Sequence, residues 1–359
     1  MNKNSNGKSL ENWIWDAACS IRGAKDAPKF KDFILPLIFL KRLCDVFDDE
    51  INRMAQNVGS RTKAFTLVEK DRKLVRFYLP IKPKNPEKEE VWTEIRKISN
   101  KIGEQLTTFL RDVAKENPSL SGIIDRVDFN ATTHGQRDID DDRLSNLIER
   151  ISEKRLGLKD VEPDIIGRSY EYLIRKFAEN SGKSAGEFYT PAEVGMIMAK
   201  IMNPEPGMEI YDPTCGSAGL LIKCQIVLDE NYLSKKDVSP LKLYGQEMIA
   251  DTWAMAKMNM IVHDMEGEIE IGDTMKSPKF IQHGKIKLFD RVVANPMWNQ
   301  GKDELPYISD EFFINDPYNR FLPNNRRGLF LSEFAVVSRA DCKILIFQLP
   351  VRPCVFLLL

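Results

Sequence analysis

Apolar residues in the first part of the chain recur at helical spacing. Trp13, Ala17 and Ile21 fall on one face of a helix, and the residues from Phe33 to Phe47 form a second such series. The same periodicity returns further along, at residues 91–114, 143–151 and 163–178. The pattern predicts an N-terminal domain built from helices.

A different pattern begins near residue 181, where short apolar runs alternate with helical ones. Strands are predicted at residues 208–211, 242–245, 269–271 and 288–294, with helices at 219–231 and 250–262. Strands that alternate with helices favour a parallel sheet covered by helices on both faces. We therefore predict a helical domain over residues 1–160, a connecting helix and linker over 161–185, and an α/β domain over 186–359.

Length and composition agree with two domains and exclude several classes of protein. A chain of 359 residues with 43% hydrophobic and 29% charged residues is neither disordered nor collagen-like. No segment reaches the roughly 20 apolar residues of a membrane helix. Residues 1–7 do not form a secretory signal, so we expect a cytoplasmic protein. Six scattered cysteines without a CxxC pair, and three histidines, argue against a metal site or a disulfide framework.

One segment is strongly basic although the whole chain has a formal net charge of -1. Residues 61–84 hold eight Lys and Arg against two acidic residues, and the segment ends in several prolines. Two interpretations stay open for what we take to be a partly irregular loop. It is either a solvated surface or a surface that contacts phosphates.

The ends of the predicted strands carry the residues with chemical potential. In a doubly wound sheet the ligand lies beyond the carboxyl ends of the strands. The first strand leads into Asp212-Pro-Thr-Cys-Gly-Ser-Ala-Gly219, the second into Glu247, the third into Asp273 and the fourth into Asn295-Pro-Met-Trp298. The glycines of the first loop do not form G-x-G-x-x-G, which disfavours a dinucleotide. A nucleoside without phosphates, such as S-adenosylmethionine, fits better.

These residues, together with motifs in the helical part, resemble a known family. The helical motifs include Glu11-Asn-Trp-Ile-Trp-Asp16 and Gly167-Arg-Ser-Tyr-Glu-Tyr-Leu173, and Gly186-Glu-Phe-Tyr-Thr-Pro191 precedes the first strand. Over roughly residues 10–299 the chain resembles the modification (methyltransferase) subunit of type I restriction-modification systems, an N6-adenine DNA methyltransferase. The resemblance implies a Rossmann-like α/β methyltransferase sheet preceded by an all-helical domain, with S-adenosylmethionine as methyl donor.

The resemblance also implies a role for individual residues. Glu247 would hold the ribose and Asp273 would bind the adenine of the cofactor. The segment before the first strand would close over the cofactor, and the first loop would line its methionine and ribose side. The residues of these two segments are Glu187, Phe188, Tyr189, Thr190, Pro191, Ala192, Asp212, Gly216, Ser217, Ala218 and Gly219. Pro191 and Thr190 also predict a helix that begins at the proline with Thr190 as its N-cap.

Catalysis in such a family needs no metal and no covalent enzyme intermediate. The adenine amino group is a poor nucleophile because its lone pair is delocalised into the ring. The side-chain oxygen of Asn295 and the carbonyl of Pro296 would accept hydrogen bonds from N6, and Trp298 would stack on a base flipped out of the duplex. Met297 stands where the family has a second proline, which removes one fixed φ angle from this loop.

Partners follow from the same resemblance. A specificity subunit would read the duplex DNA, two copies of the modification subunit would flank it, and a restriction subunit would join in a prokaryotic cytoplasm.

Beyond Asn295 we predict one strand only, at residues 343–349, and hence a C-terminally shortened domain with an incomplete sheet and an exposed edge. The alternatives are a noncatalytic assembly or DNA-clamping subunit that keeps the cofactor pocket, and an enzyme acting on a protein glutamine or an RNA base.

Overall fold

The computed structural model of the chain describes most residues of two compact units. The described ranges are 9–20, 27–161, 167–174, 176, 190–234, 237–296, 338–348 and 355–358. One unit comprises the described residues of 1–182 with Val262–Asp264, and the other those of Lys183–Ile261 and Met265–Leu359. The domain boundaries that the sequence predicts, at residues 160 and 186, stay predictions.

The first unit is helical, as predicted. A two-stranded hairpin, β1 (Thr132–Thr133) with β2 (Gln136–Arg137), interrupts the helices. The helices are α1 (Leu10–Cys19), α2 (Ala27–Val58), α3 (Arg61–Lys70), α4 (Trp92–Arg96), α5 (Ile102–Glu116), α6 (Asp141–Ser152) and α7 (167–174). Helix α1 begins behind Ser9, whose hydroxyl accepts a hydrogen bond from the backbone N–H of Asn12.

Helix α2 carries charged side chains into the core of this unit, where each is paired. The ammonium of Lys41 lies 2.7 Å from a carboxylate oxygen of Asp45, and Asp45 also accepts the N–H of Leu156 at 2.7 Å. Asp48 accepts the N–H of Val91 at 2.7 Å and pairs with Arg61 at 2.5 Å. Burial raises the pKa of Asp45 to about 6 although Lys41 opposes that shift. These buried carboxylates fix two loops against α2.

The prediction of a loop for the basic segment is wrong for residues 61–70, which form α3. The hydroxyl of Ser60 caps this helix by accepting the N–H of Lys63, and Phe65 and Val68 are buried beneath it. The buried face of this helix is short and lies among charged residues, so its periodic signal is weak. Part of the positive charge is paired within the chain, because Arg61 binds Asp48 and Lys82 lies 3.2 Å from Glu69.

The second unit is an α/β sheet with its helices in the predicted places. Its helices are α8 (Ala192–Met202), α9 (Gly219–Tyr232) and α10 (Ala250–Val262). Its strands are β3 (Glu209–Asp212), β4 (Lys242–Glu247), β5 (Gly267–Ile271), β6 (Ile281–Gln282), β7 (Lys285–Ile286), β8 (Phe289–Ala294), β9 (Ser338–Gln348) and β10 (Val355–Leu358). All four strands and both helices predicted for this part are confirmed, with bounds that differ by a few residues.

Strand order fixes where a ligand can bind. Six strands form one sheet in the order β10-β9-β8-β3-β4-β5, and β6 pairs with β7 in a separate hairpin. Neighbouring strands run parallel from β9 to β5. After β3 the chain continues to β4 and β5 on one side and only later returns to β8 on the other. The crevice above β3 and β8 is therefore the switch point, the usual ligand site of such sheets.

The end of the chain differs from the sequence prediction of a single last strand. Strand β9 covers the predicted residues, but Val355–Leu358 form an additional strand, β10, antiparallel to β9. The run is only four residues long, too short for an alternating pattern to identify it. The pairing partner that makes it a strand lies several residues upstream, at Leu345–Gln348.

Apolar side chains pack on the sheet between the helices and the strands. One cluster joins α8, α9 and α10 to β3–β5 and includes Met198, Ile210 and Leu221. A second is aromatic, with the ring of Tyr211 stacked on that of Phe289 at 4.5 Å between centroids. Cys44, Cys215 and Cys224 are buried free thiols. Within the described ranges, no helix is both long and apolar enough to span a bilayer.

Candidate functional site

The loop after β3 is a tight turn that leads directly into α9. Asp212, which is 1% exposed, ends the strand, and one of its carboxylate oxygens accepts the N–H of Thr214 at 3.0 Å. Gly216 and Ala218 have φ angles of 53° and 62°, in the left-handed region. Apart from the two chain neighbours of Gly216, no atom of the described residues lies within 4 Å of the place where its Cβ would stand. The loop thus exposes backbone to open space, which lets a ligand approach closely.

Glu247 at the end of β4 binds the loop after β3. Its carboxylate oxygens accept the N–H of Gly216 at 3.0 Å and the N–H of Ile249 at 2.8 Å. The structure therefore brings Glu247 and Gly216 together, two residues that the sequence assigned to one site.

Asp212 carries an unusual charge state for an acidic residue. Burial raises its pKa to about 8, the nearby carboxylate of Glu247 adds to the shift, and the hydrogen bond from Thr214 opposes it. At neutral pH the carboxyl group is therefore mostly protonated. A cation that enters this site would favour the ionised form and would gain a carboxylate partner.

Asp273 follows β5 and forms a turn. One carboxylate oxygen, Oδ1, accepts the N–H groups of Met275 and Lys276 at 2.9 and 3.2 Å. The other oxygen accepts no hydrogen bond from any residue that the structure describes. The side-chain amide of Gln246, which is fully buried, holds this turn through the carbonyls of Gly272 and Ser277 at 3.1 and 3.0 Å.

Asn295 at the end of β8 is bonded to Thr190. Its amide nitrogen donates to the hydroxyl oxygen of Thr190 at 3.0 Å. The prediction that Thr190 caps α8 is wrong: the N-cap is Pro191, with no side-chain cap, and Ala192 is the first helical residue. The hydroxyl of Thr190 is thus engaged by a residue more than one hundred positions away. Because the amide nitrogen is used, the side-chain oxygen of Asn295 stays available as an acceptor.

Predicted site residues meet in one cleft above β3 and β8. The cleft is lined by Thr190, Asp212, Thr214, Cys215, Gly216, Ser217, Gly219, Leu220, Lys223 and Asn295. The hydroxyl oxygen of Thr214 is buried and has no hydrogen-bond partner in the described part of the chain. The described lining does not include Ala218, Glu247, Asp273, Pro191, Ala192 or Pro296. Glu187, Phe188, Tyr189, Met297 and Trp298 lie outside the described residues.

Sequence analysis missed three side chains of this region. Lys223 lines the cleft, Gln246 holds the turn around Asp273, and the amide of Asn259 donates to the carbonyl of Ser217 at 2.9 Å. Of the three, Lys223 could have been noticed in the sequence, because it is the only charged residue between Leu220 and Leu228. The two amides gave no such signal, because their roles depend on packing between elements.

The arrangement suits a nucleoside that carries both positive and negative groups. Carboxylates at Asp212, Glu247 and Asp273 can accept hydrogen bonds, the buried hydroxyl of Thr214 has a hydrogen bond to offer, and Gly216 leaves room for the ligand. No group of three or more His, Cys, Asp and Glu side chains within the described ranges is placed to bind a metal ion.

Two family models match adjacent parts of the chain. The model described as the HsdM N-terminal domain matches residues 10–151, and the model described as N-6 DNA Methylase matches residues 161–333. The first lies within the helical unit, and the second includes every strand-end residue of the candidate site.

Similarity to individual proteins agrees with the family models. The chain is 29% identical over 301 residues to the methylase subunit of the type I restriction enzyme MjaIX of Methanocaldococcus jannaschii, covering 82% of this chain and 51% of that protein. It is 28% identical to the MpnII methylase subunit of Mycoplasma pneumoniae, covering 89% of this chain and 63% of that protein. The chain thus spans about half to two thirds of the length of these relatives.

A solved structure confirms the predicted fold class. The type I restriction-modification methyltransferase subunit of Streptococcus thermophilus superposes with a TM-score of 0.70 at 21% identity, covering 94% of this chain and 74% of that one. The two chains therefore share the α/β sheet and the helical domain before it.

Proposed function

Because the chain belongs to the family of type I restriction-modification methyltransferase subunits, we propose that it transfers a methyl group from S-adenosylmethionine to N6 of adenine in duplex DNA. The observation that carries this proposal is the meeting of Asn295 with the loop after β3 in one cleft. An acceptor for the target amine and a pocket for the methyl donor then share one space, which direct transfer requires.

The residues of the candidate site fit the cofactor group by group. The carboxylate of Glu247 is suited to hydrogen bonds from the ribose hydroxyls, and the second carboxylate oxygen of Asp273 can accept a hydrogen bond from the adenine amino group. Asp212 lies where the positively charged methionine end would bind. The cofactor can approach the backbone of the loop closely at Gly216, Ser217, Ala218 and Gly219. Bound S-adenosylmethionine supplies an electrophilic methyl group. The segment of Glu187, Phe188, Tyr189, Thr190, Pro191 and Ala192 is proposed to close over it.

Asn295 acts on the target amine as an acceptor held in a fixed direction. Thr190 accepts from its amide nitrogen at 3.0 Å, which turns the side-chain oxygen away as the free acceptor. With the carbonyl of Pro296, this oxygen would accept the two N6 hydrogens and draw the lone pair out of the ring plane. The same acceptors stabilise the positive charge that develops on N6 until its proton leaves to solvent.

The target base must leave the duplex to reach this cleft. An adenine inside the helix cannot approach a pocket above the sheet, so the base is flipped out, and we propose that Trp298 stacks on it. Sequence choice belongs to a separate specificity subunit in this proposal. Two modification subunits and, in the full complex, a restriction subunit complete the assembly in the cytoplasm of a prokaryote.

An Asn295→Ala variant tests the proposal. We expect methyl transfer to duplex DNA to fall by about 10²-fold to 10³-fold, because one acceptor in the transition state is lost. The dissociation constant for S-adenosylmethionine should change little, since the acceptor acts on the amine. Asn231→Ala, an exposed asparagine on α9, is the matched control and should keep full activity.

Three results would count against the assignment. Loss of cofactor binding by Asn295→Ala would mean that Asn295 holds the cofactor and not the target base. Unmodified protein that binds the cofactor but never methylates DNA, even with its partner subunits, would favour a noncatalytic clamping subunit. Absence of cofactor binding would contradict the methyltransferase assignment.

A further inference from the structure

We propose that the ammonium group of Lys223 binds the carboxylate of the methionine moiety of the cofactor. This inference rests on the proposed function and assigns a ligand group to a residue that has no role in it so far. It would give the site a cationic anchor beside its acidic residues.

Lys223 is placed to reach the ligand. It lies in the first turns of α9, is 5% exposed and lines the same cleft as Asp212 and Asn295. Its ammonium lies 3.3 Å from the carbonyl oxygen of Gly219, the first residue of the helix. The side chain therefore runs back towards the helix N-terminus, the direction in which helical side chains lean. The ammonium ends where the loop after β3 opens into the cleft.

The neighbouring helix leaves a channel for this side chain. Gly195 of α8 packs against the stem of Lys223, and a Cβ at that position would stand 2.7 Å from the Cδ atom of the lysine. Such a distance is too short for two carbon atoms, so a larger residue would push the stem aside. The absence of a side chain at Gly195 thus fits a lysine that passes between the two helices.

The electrostatics of this position favour an anion. Helix α9 is 14 residues long, and Ala218 before it provides no side-chain cap for its first N–H groups. These groups and the helix dipole already make the N-terminus positive. A carboxylate bound between the ammonium of Lys223 and these N–H groups would accept charge-assisted hydrogen bonds from both.

The acidic residues of the candidate site are suited to different groups of the ligand. Glu247 binds the loop and is suited to hydroxyls, and Asp212 is suited to a cation. S-adenosylmethionine is a cation at its amino and sulfonium groups and carries one carboxylate. Lys223 is the one basic residue among the described residues that line the cleft, which makes it the partner of that carboxylate.

The test compares two ligands that differ only in this group. Calorimetric titration of the full chain would use S-adenosylhomocysteine and its decarboxylated form, which keeps the amino group and the adenosine. The protein variants are Lys223→Met, which keeps the stem but not the charge, and Lys223→Arg, which keeps the charge. Lys200→Met on α8 is the control, because Lys200 is exposed and lies 3.8 Å from Glu230 outside the cleft.

We expect a loss that depends on the carboxylate. Lys223→Met should weaken S-adenosylhomocysteine about 10-fold to 100-fold, as for loss of a charge-assisted hydrogen bond, and should leave the decarboxylated form nearly unchanged. Lys223→Arg should keep part of the preference for the carboxylate, and Lys200→Met should behave as the unmodified protein. Equal weakening of both ligands by Lys223→Met, or no weakening of either, would overturn the inference.

The unmodified protein provides a test that does not depend on the folding of a variant. It should bind S-adenosylhomocysteine about 10-fold or more tightly than the decarboxylated form. Equal affinity for the two ligands would overturn the role of Lys223 and leave the proposed function standing. Failure to bind either ligand would instead overturn the proposed function.

Discussion

At the residue scale, the hydrogen bond from Asn295 to Thr190 fixes the orientation of the amide, which in the proposed function turns its oxygen towards the target base. The two residues are 105 positions apart in the chain, and the hydroxyl of Thr190 accepts the amide nitrogen at 3.0 Å. An amide that could rotate would present a donor as often as an acceptor. Holding the nitrogen therefore prepares the oxygen for the amine of adenine.

Removal of this hydroxyl should slow transfer without removing the pocket. We expect Thr190→Val to lower kcat about tenfold through loss of amide orientation, with a much smaller change in affinity for S-adenosylmethionine. Thr190→Ser keeps the acceptor and should retain most of the activity. Steady-state methylation and cofactor titration of both variants check this. Equal kcat for Thr190→Val and the unmodified protein would contradict an orienting role.

The raised pKa of Asp212 predicts that ligand binding releases protons. Its pKa of about 8 in the free protein keeps the carboxyl protonated at pH 7, and a bound amino cation lowers that pKa. Since the bound state holds fewer protons, the affinity for S-adenosylhomocysteine should rise as the pH increases from about 6 to 8. About half a proton or more should be released per ligand at pH 7.

Calorimetry in buffers of different ionisation enthalpy measures this release. Asp212→Asn has no proton to lose and should abolish that contribution. Proton release of the same size from Asp212→Asn would show that another group titrates and would contradict the account of Asp212.

Sequence analysis identified the strand-end residues but not the contacts that support them. Asp212, Glu247, Asp273 and Asn295 were recognised because strand ends in a parallel sheet share one edge. The prediction that Thr190 is an N-cap was wrong. Its hydroxyl oxygen instead accepts a hydrogen bond from Asn295, which is distant in sequence. Such pairings are set by the fold and leave no local pattern.

At the element scale, α2 and α3 are joined by a buried ion pair that can be compared with an exposed one. Asp48 of α2 is fully buried beside Arg61 of α3, whose side chain is 14% exposed. Arg96 and Glu149 form a pair at 2.6 Å between α4 and α6 with about half of each side chain exposed. The same type of substitution can thus be made in two different environments.

We expect the two substitutions to differ in cost. Arg61→Met leaves Asp48 buried without its cation and should lower the free energy of unfolding by about 3 kcal/mol. Arg96→Met should lower it by less than about 1 kcal/mol, because water solvates the exposed carboxylate that remains. Urea unfolding of the full chain, followed by circular dichroism, measures both. Equal losses would contradict the structural role of the Asp48–Arg61 pair.

Elements with a clear apolar signal were predicted well, and elements that depend on packing were not. The four strands before Asn295 and helices α9 and α10 were found because short apolar runs alternate with longer, largely apolar segments in this part of the chain. Helix α3 was missed because its buried face is short and surrounded by charge. Strand β10 was missed because four residues become a strand only through pairing with β9.

At the scale of the whole molecule, the described residues form two compact units of different kinds. The described residues that line the candidate cleft all belong to the α/β unit, whereas the helical unit carries the surface lysines of residues 61–84 and the buried ion pairs of α2. This division agrees with a chain that performs the chemistry in one unit. In our proposal, the choice of DNA sequence is left to a partner.

The most direct measurement is the identity of the methylated base. The full chain would be incubated with duplex DNA and S-adenosylmethionine carrying a labelled methyl group, with and without its cognate specificity subunit, and the DNA would be digested to nucleosides. The account predicts label in N6-methyladenine alone, only in the presence of the specificity subunit, and none with Asn295→Ala. Label on cytosine, or no label although the cofactor is bound and the specificity subunit is present, would contradict it.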